Sequence, residues 1–497
     1  MEATAQSTHT TKSTKSPKVS RNWAALITTV VVIGLAIFFG AQLITKTGVF
    51  REPGKLVFAE TITEQNHDFV VNNLPEDLDL TEDLIIGATT LTHKSDNPTY
   101  LLYNVLLPVT DFYDSTSNIS IDAARQGTLI SVWDLEPTHK LLSLDGTYYL
   151  DHLDSGAFFE YLTFVGDDDD IARIKSMLSA EIAALPTTDN LLTFAQTGVT
   201  ALSRRMNSRL DQIGDAKHFS AQIAPFLRQF DLTHTSNESS FSSLANGSNI
   251  CSKPAMIDVL TDIGLDIVEL TGNHNQDCGD ADAIATIDQY HDLGILTVGG
   301  GKTATQAAEP LQINQKGNHI TMLAYNLSTG GYTLDDTPGA NFYTEIKAID
   351  DISAAKARGD SVIVDIQYYE CANYVFTEEN TTCDYADSAA GDQIGFFRHL
   401  IDLGADVVVG TSAHQPQTFE LYGDGVIYYG LGNLFFDQSA WPGTTRSLIL
   451  VHYFWDNSLI QTRIVSTIYD ESFQTRLMDT AATAEFIARL INARPTN

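Results

Sequence analysis

Residues 23–44, WAALITTVVVIGLAIFFGAQLI, run 22 positions without a charge. At about 1.5 Å of helical rise per residue that length covers the ~30 Å hydrocarbon core of a bilayer. The segment predicts a transmembrane helix. It is apolar on every face, and the Thr/Ser/Lys-rich tail before it gives a buried core helix nothing to pack against. A cleaved signal peptide would carry a shorter apolar stretch of about 7 to 15 residues, and no clear A-x-A site follows this one. Lys12, Lys15, Lys18 and Arg21 precede the span, and Lys46, Arg51 and Lys55 follow it. That bias places the tail inside and everything after Thr45 outside, a single-pass protein of the cell membrane with a large extracellular C-terminal region. An outside location permits disulfides. The 29 Lys and Arg against 63 Asp and Glu give a net charge of −34, which argues against a nucleic-acid partner.

The expected organisation is a tail (1–22), the span (23–44), a linker (45–54), an α/β accessory domain of unknown ligand (55–185), a polar linker (186–190) and a larger α/β domain (191–497). In the accessory region the β-like runs LIIGATTL, TYLLYNVLLPV and GTLISVWDL precede one amphipathic helix. Ile171, Ile174, Leu178, Ile182 and Leu185 mark its apolar face, and Pro186 stops it. The acidic run Asp167 to Asp170 reads as carboxylates set against the positive end of that helix. Beyond the linker, a helix ends three times at a glycine (Gly264, Gly294, Gly404) and a short apolar strand follows. Helices alternating with buried strands predict an α/β fold with a largely parallel sheet, whose sites lie beyond the carboxyl ends of the strands.

Polar residues gather at five such ends. They are Asn237 and Glu238 after DLTHTS; Asn273, His274 and Asp277 after DIVEL; Asp365, Gln367 and Glu370 at the end of SVIVDIQYYE; His414 and Gln417 after DVVVG; and Asn433, Asp437 and Gln438 after VIYYG. Each alone reads as turn chemistry. Five together predict one convergent site.

These residues resemble a known family. GNHNQDCGD, the preceding DIGLDIVEL, the VGGG of Val298 to Gly301 and the GLGNLFFDQ of Gly430 to Gln438 are similar, in order and spacing, to the CapA family of capsule synthesis proteins associated with poly-γ-glutamate capsules. The resemblance implies a calcineurin-like metallophosphatase fold, a two-sheet sandwich flanked by helices. It implies a role in making, exporting or anchoring an anionic polymer at the cell surface, with the polymer or its synthesis machinery as partner. Two readings follow, a metal-dependent hydrolase or transferase and a catalytically reduced homologue that binds without turnover. The sequence departs from the family pattern at three ligand positions: Thr197-Gly198 lacks the usual Gly-Asp carboxylate, Gln367-Tyr368-Tyr369 replaces His-Trp-Gly, and Ser412-Ala413-His414 keeps one of two histidines. A dinuclear centre is therefore not expected. The reading implied is one divalent metal ion at Glu238, Asn273, His274 and His414, with Asp365, Glu370 or His414 as catalytic groups and Asn237, Gln367, Gln417, Asn433 and Asp437 contacting substrate; a metal-free polar pocket is the alternative.

GGGK at Gly299 to Lys302 lacks the first glycine of a phosphate loop and reads as a strand-to-helix turn. Cys371 with Cys383 and Cys251 with Cys278 are one possible pairing of the four cysteines, and free buried thiols are the other reading.

Overall fold

The computed structural model describes residues 55–62, 64–75, 78–91, 94–153, 158–182, 189–327, 330–368, 392–440 and 442–495. The apolar span 23–44, Glu370, Cys371 and Cys383 lie outside them. Among the described residues no helix is long and apolar enough to cross a membrane.

The larger domain is a sandwich of two mixed sheets. The first runs Leu296–Val298, Ile267–Glu269, Leu232–Asn237 and Leu192–Thr200 in parallel, with Arg446–Trp455 and Ser458–Ile468 added antiparallel. The second places Asn318–Asn326, Ser361–Gln367, Val407–Gly410 and Gly425–Tyr428 in parallel between two antiparallel edges. Strand alternation sorts the side chains. Leu192, Phe194, Ile267, Leu448 and Leu450 of the first sheet meet Ile320, Met322, Ile363, Val407 and Val409 of the second in one core. The residues between them face outward. Val362, Val364 and Val408 pack under the helices Glu345–Arg358 and Gln393–Asp402. The helices Ile257–Asp262, Asp280–Asp292 and Gln393–Asp402 end as expected at Gly264, Gly294 and Gly404, at φ +71°, +76° and +116°.

The accessory region forms its own sheet, in which Leu84–Leu91 and Tyr100–Asp111 flank Phe158–Val165 antiparallel. The helix Asp168–Glu181 buries Ile171, Ile174 and Leu178 against one face of it. Asp167 caps that helix, accepting from the backbone N–H of Asp169 and Asp170, so part of the acidic run does the work its position suggested. The other face, with Val105, Leu107, Phe159 and Tyr161, shares a continuous core with Ala195, Ile449 and Val451 of the first sandwich sheet. Asp151 accepts from the Tyr453 hydroxyl at 2.6 Å and pairs with Arg463 at 3.2 Å across that junction.

Candidate functional site

The strand alternation that builds the inter-sheet core also puts polar groups inside it. In-facing positions read Leu232, His234, Ser236; Ile267, Glu269; Ile363, Asp365, Gln367; Phe194, Gln196; and Leu450, His452. Each run starts apolar and turns polar in the same layer, and His234, Glu269, Asp365, Gln196 and His452 are all fully buried. A buried polar group must find partners, and a chain of bonds supplies some of them. Gln196 Nε2 donates to Asp365 Oδ1 at 2.6 Å, and His452 Nε2 lies 3.0 Å from Gln196 Oε1. Since that oxygen can only accept, His452 carries its proton on Nε2 and its Nδ1 accepts from Thr462 Oγ1 at 2.9 Å. His234 Nε2 stands 3.4 Å from Asp365 Oδ2.

Burial sets the charges. Desolvation holds His234 and His452 neutral, each pushed down to about 3, with the neighbouring His452 adding to the effect on His234. It pushes Glu269 up to about 7; the charge of Glu238 adds to this, against the hydroxyls of Ser236 and Thr411 and the Thr271 backbone N–H, which donates to Oε1 at 2.6 Å. Burial, then the charge of Glu269, raises Asp365 well above the ordinary carboxylate range.

One layer outward lie the strand-end residues. Gln367 Nε2 sits 3.2 Å from Glu238 Oε1 and 3.4 Å from Asn273 Oδ1, so three of the anticipated residues meet. Glycine is required at 272, where a Cβ would come within 2.8 Å of Glu238. His414 and Asn433 form a second group. His414 Nδ1 is 2.8 Å from Asn433 Oδ1, whose amide nitrogen donates to Gln438 Oε1 and Thr444 O, so the imidazole proton is on Nδ1. The other anticipated residues are engaged elsewhere. Asn237 donates to Tyr290 Oη and Ser239 O at 2.8 Å each, and Gln417 pairs with Gln393 at 3.2 Å. His274, at 27% side-chain exposure, pairs with Asp277 at 2.8 Å. Asp437 accepts from Arg205 N at 2.9 Å and Nε at 2.6 Å, a cap on the helix Arg205–Ile213. Sequence reasoning missed Gln196, His234, Glu269 and His452. The signal was a single polar residue at the in-facing position of each apolar strand.

The disulfide Cys251–Cys278 ties the two loops that carry Glu238 and Asn273. Backbone contact is equally tight where Leu192–Thr200 meets the GLGN loop: a Cβ at Gly198 would stand 2.0 Å from Gly432 O, which accepts from Val199 N at 2.9 Å. Gly198→Ala is expected to cost about 1–3 kcal/mol through forced separation of these segments. Urea denaturation giving a midpoint equal to that of the unaltered protein would refute it.

As a site for one divalent ion, the donor set fits poorly. Glu238 and Asn273 converge, yet the group between their oxygens is an amide N–H donor, which occupies the place a cation would need. Among the described residues no three His, Cys, Asp or Glu side chains surround a common point at ligand distance.

Residues 193–438 match the family described as the bacterial capsule synthesis protein PGA_cap. The chain is 22% identical over 280 residues to the capsule biosynthesis protein CapA of Bacillus anthracis, covering 54% of this chain and 64% of that one. It is 28% identical over 201 residues to the PGA biosynthesis protein CapA of Bacillus subtilis (strain 168), covering 40% and 49% respectively. The chain thus spans less than two thirds of the length of these relatives. A crystal structure of a hypothetical protein from Thermus thermophilus overlaps 58% of this chain at 11% identity and TM-score 0.29, too distant a likeness to argue from.

Proposed function

Because residues 193–438 form a domain of the PGA_cap capsule-synthesis family, we propose that this chain acts at the outer face of the cell membrane in the synthesis, export or anchoring of an anionic capsule-type polymer. It does so by binding the polymer or its assembly partners rather than by turning the polymer over. One observation supports the choice: Gln367 links Glu238 and Asn273 through its amide N–H, so two of the four residues anticipated as metal ligands are tied together by a hydrogen-bond donor. The Cys251–Cys278 bridge favours an oxidising compartment, as the outward topology requires. Anchoring is assigned to residues 23–44 on apolar length alone.

A second reading keeps one divalent ion at Glu238, Asn273, His274 and His414, and a hydrolase or transferase built on it. The Nδ1–H tautomer of His414 favours it, since Nε2 is then the acceptor nitrogen. Metal analysis of the purified full-length chain, with a phosphodiester and a γ-glutamyl peptide assayed beside it, separates the two. Stoichiometric metal and turnover, both lost in His414→Ala, would replace the binding reading with the enzymatic one. Protease added to intact cells is expected to remove the region after Thr45; digestion only after lysis would refute the topology.

A further inference from the structure

The segment 193–438 contains twelve Lys and Arg residues. Ten of them pair with a carboxylate: Arg205 with Asp437, Lys217 and Arg228 with Asp262, Lys253 with Asp211, Lys302 with Asp288, Lys316 with Asp231, Lys347 with Asp351, Lys356 with Asp406, Arg358 with Asp360 and Arg398 with Glu420. Among the described residues that leaves Arg204 and Arg209, and Arg209 donates to Gln212 at 3.2 Å on its own helix. Within this segment Arg204 is thus the one basic side chain that neither pairs with a carboxylate nor bonds along its own helix among the described residues.

Arg204 follows the strand Leu192–Thr200 at the carboxyl-end side of the sheet, the same end as Glu238 and Asn273. Its backbone is held at φ +52°, ψ −127°, a conformation that favours glycine and persists only where the surroundings enforce it. The backbone fixes the direction in which the side chain leaves the chain, and an aromatic contact fixes its far end. The guanidinium lies over the ring of Phe436 with Cζ 5.1 Å from the centroid, and the Phe436 ring in turn lies 5.0 Å from that of His414. An aromatic face holds the guanidinium plane without consuming its N–H donors, which leaves the planar fork to take a carboxylate or phosphate through two parallel bonds. A strained backbone and an aromatic face that together hold a guanidinium beside the His414–Asn433 group distinguish Arg204 from a solvated surface charge.

We propose that Arg204 is the anion-recognition residue of this pocket, gripping a carboxylate or phosphate group of the ligand over Phe436 and beside His414. The inference rests on the polymer-binding reading and supplies what a chain of net charge −34 otherwise lacks, a local positive group for a polyanion.

The test uses the full-length chain in detergent and fluorescence anisotropy with three labelled probes: a short γ-linked glutamate oligomer, a polyphosphate of matching length and neutral dextran. Arg204→Gly should lose at least about tenfold in affinity for the anionic probe that wild type binds. It should melt at or above the wild-type temperature, because glycine accepts the positive φ. Arg204→Lys should keep part of the affinity, and Arg209→Ala all of it. The preferred anion, carboxylate or phosphate, is read from which probe shows the Arg204 dependence. If wild type binds an anionic probe and Arg204→Gly binds it equally well, this inference fails and the polymer reading stands. If wild type binds neither anionic probe, or binds dextran as tightly, both fail.

Discussion

Replacing Glu269 with Gln is expected to leave stability near pH 4.5 almost unchanged and to raise it by about 3 kcal/mol above pH 8. The carboxyl is fully buried, and its folded value of about 7 lies above the ordinary 4.5 of an exposed glutamate. Between those values the folded state holds a proton that the unfolded chain has released. Stability therefore falls as pH rises through this window, at about 1.4 kcal/mol per unit until the folded group ionises. An amide has no such dependence. Asp365, raised in the same direction, gains a neutral neighbour in the variant, which adds to the difference. His234 and His452 act the opposite way, since their depressed values cost stability as pH falls below the normal histidine range, but they do so in both proteins and cancel in the comparison. Urea denaturation of wild type and variant at pH 4.5 and pH 8 reads the effect. Equal differences at the two pH values would show that folded Glu269 holds no more proton than it does in the unfolded chain.

Removing the Cys251–Cys278 bridge is the other large effect. The cysteines are 27 positions apart, and chain-entropy arithmetic for a loop of that size gives about 3–4 kcal/mol. The cost falls at the site. Cys251 precedes Ser252, whose N–H bonds to Ser240 O at 2.9 Å and whose hydroxyl meets that of Ser239 at 2.7 Å, directly behind Glu238. Cys278 closes the loop that begins at Asn273. Cys251→Ser/Cys278→Ser should lower the urea midpoint and weaken any ligand binding together. Unchanged stability in the double variant would mean that hydrogen bonds alone hold the two loops.

The sandwich was legible because its signals are local: helices stopped by glycine, then four or five apolar residues that must be strands. Glu238 and Asn273 were legible because they follow such strands, and Asn273 also belongs to the recognisable block GNHNQDCGD. Gln367 was legible by its two-residue step from Asp365. The inner layer was not. A lone Glu269 within DIVEL, or His234 within LTHTS, looks like an exposed position on a half-buried strand, and only the second sheet, contributed by a distant part of the chain, covers it. Gln417 and Asp437 show which partners the sequence left unseen. Loop residues with the right chemistry sit at the right end of the sheet, yet Gln393 and Arg205 reach them first.

The continuous core between the accessory sheet and the sandwich has a mechanical consequence. Phe159 and Tyr161 on one side and Ile449 and Val451 on the other belong to a single packed volume, pinned by Asp151 to Tyr453 and Arg463. The two halves therefore turn as one lever. The strand-end residues Glu238, Asn273 and Gln367 therefore keep one fixed orientation relative to the accessory sheet, and a force applied to that sheet turns the site with it instead of bending a hinge beside it.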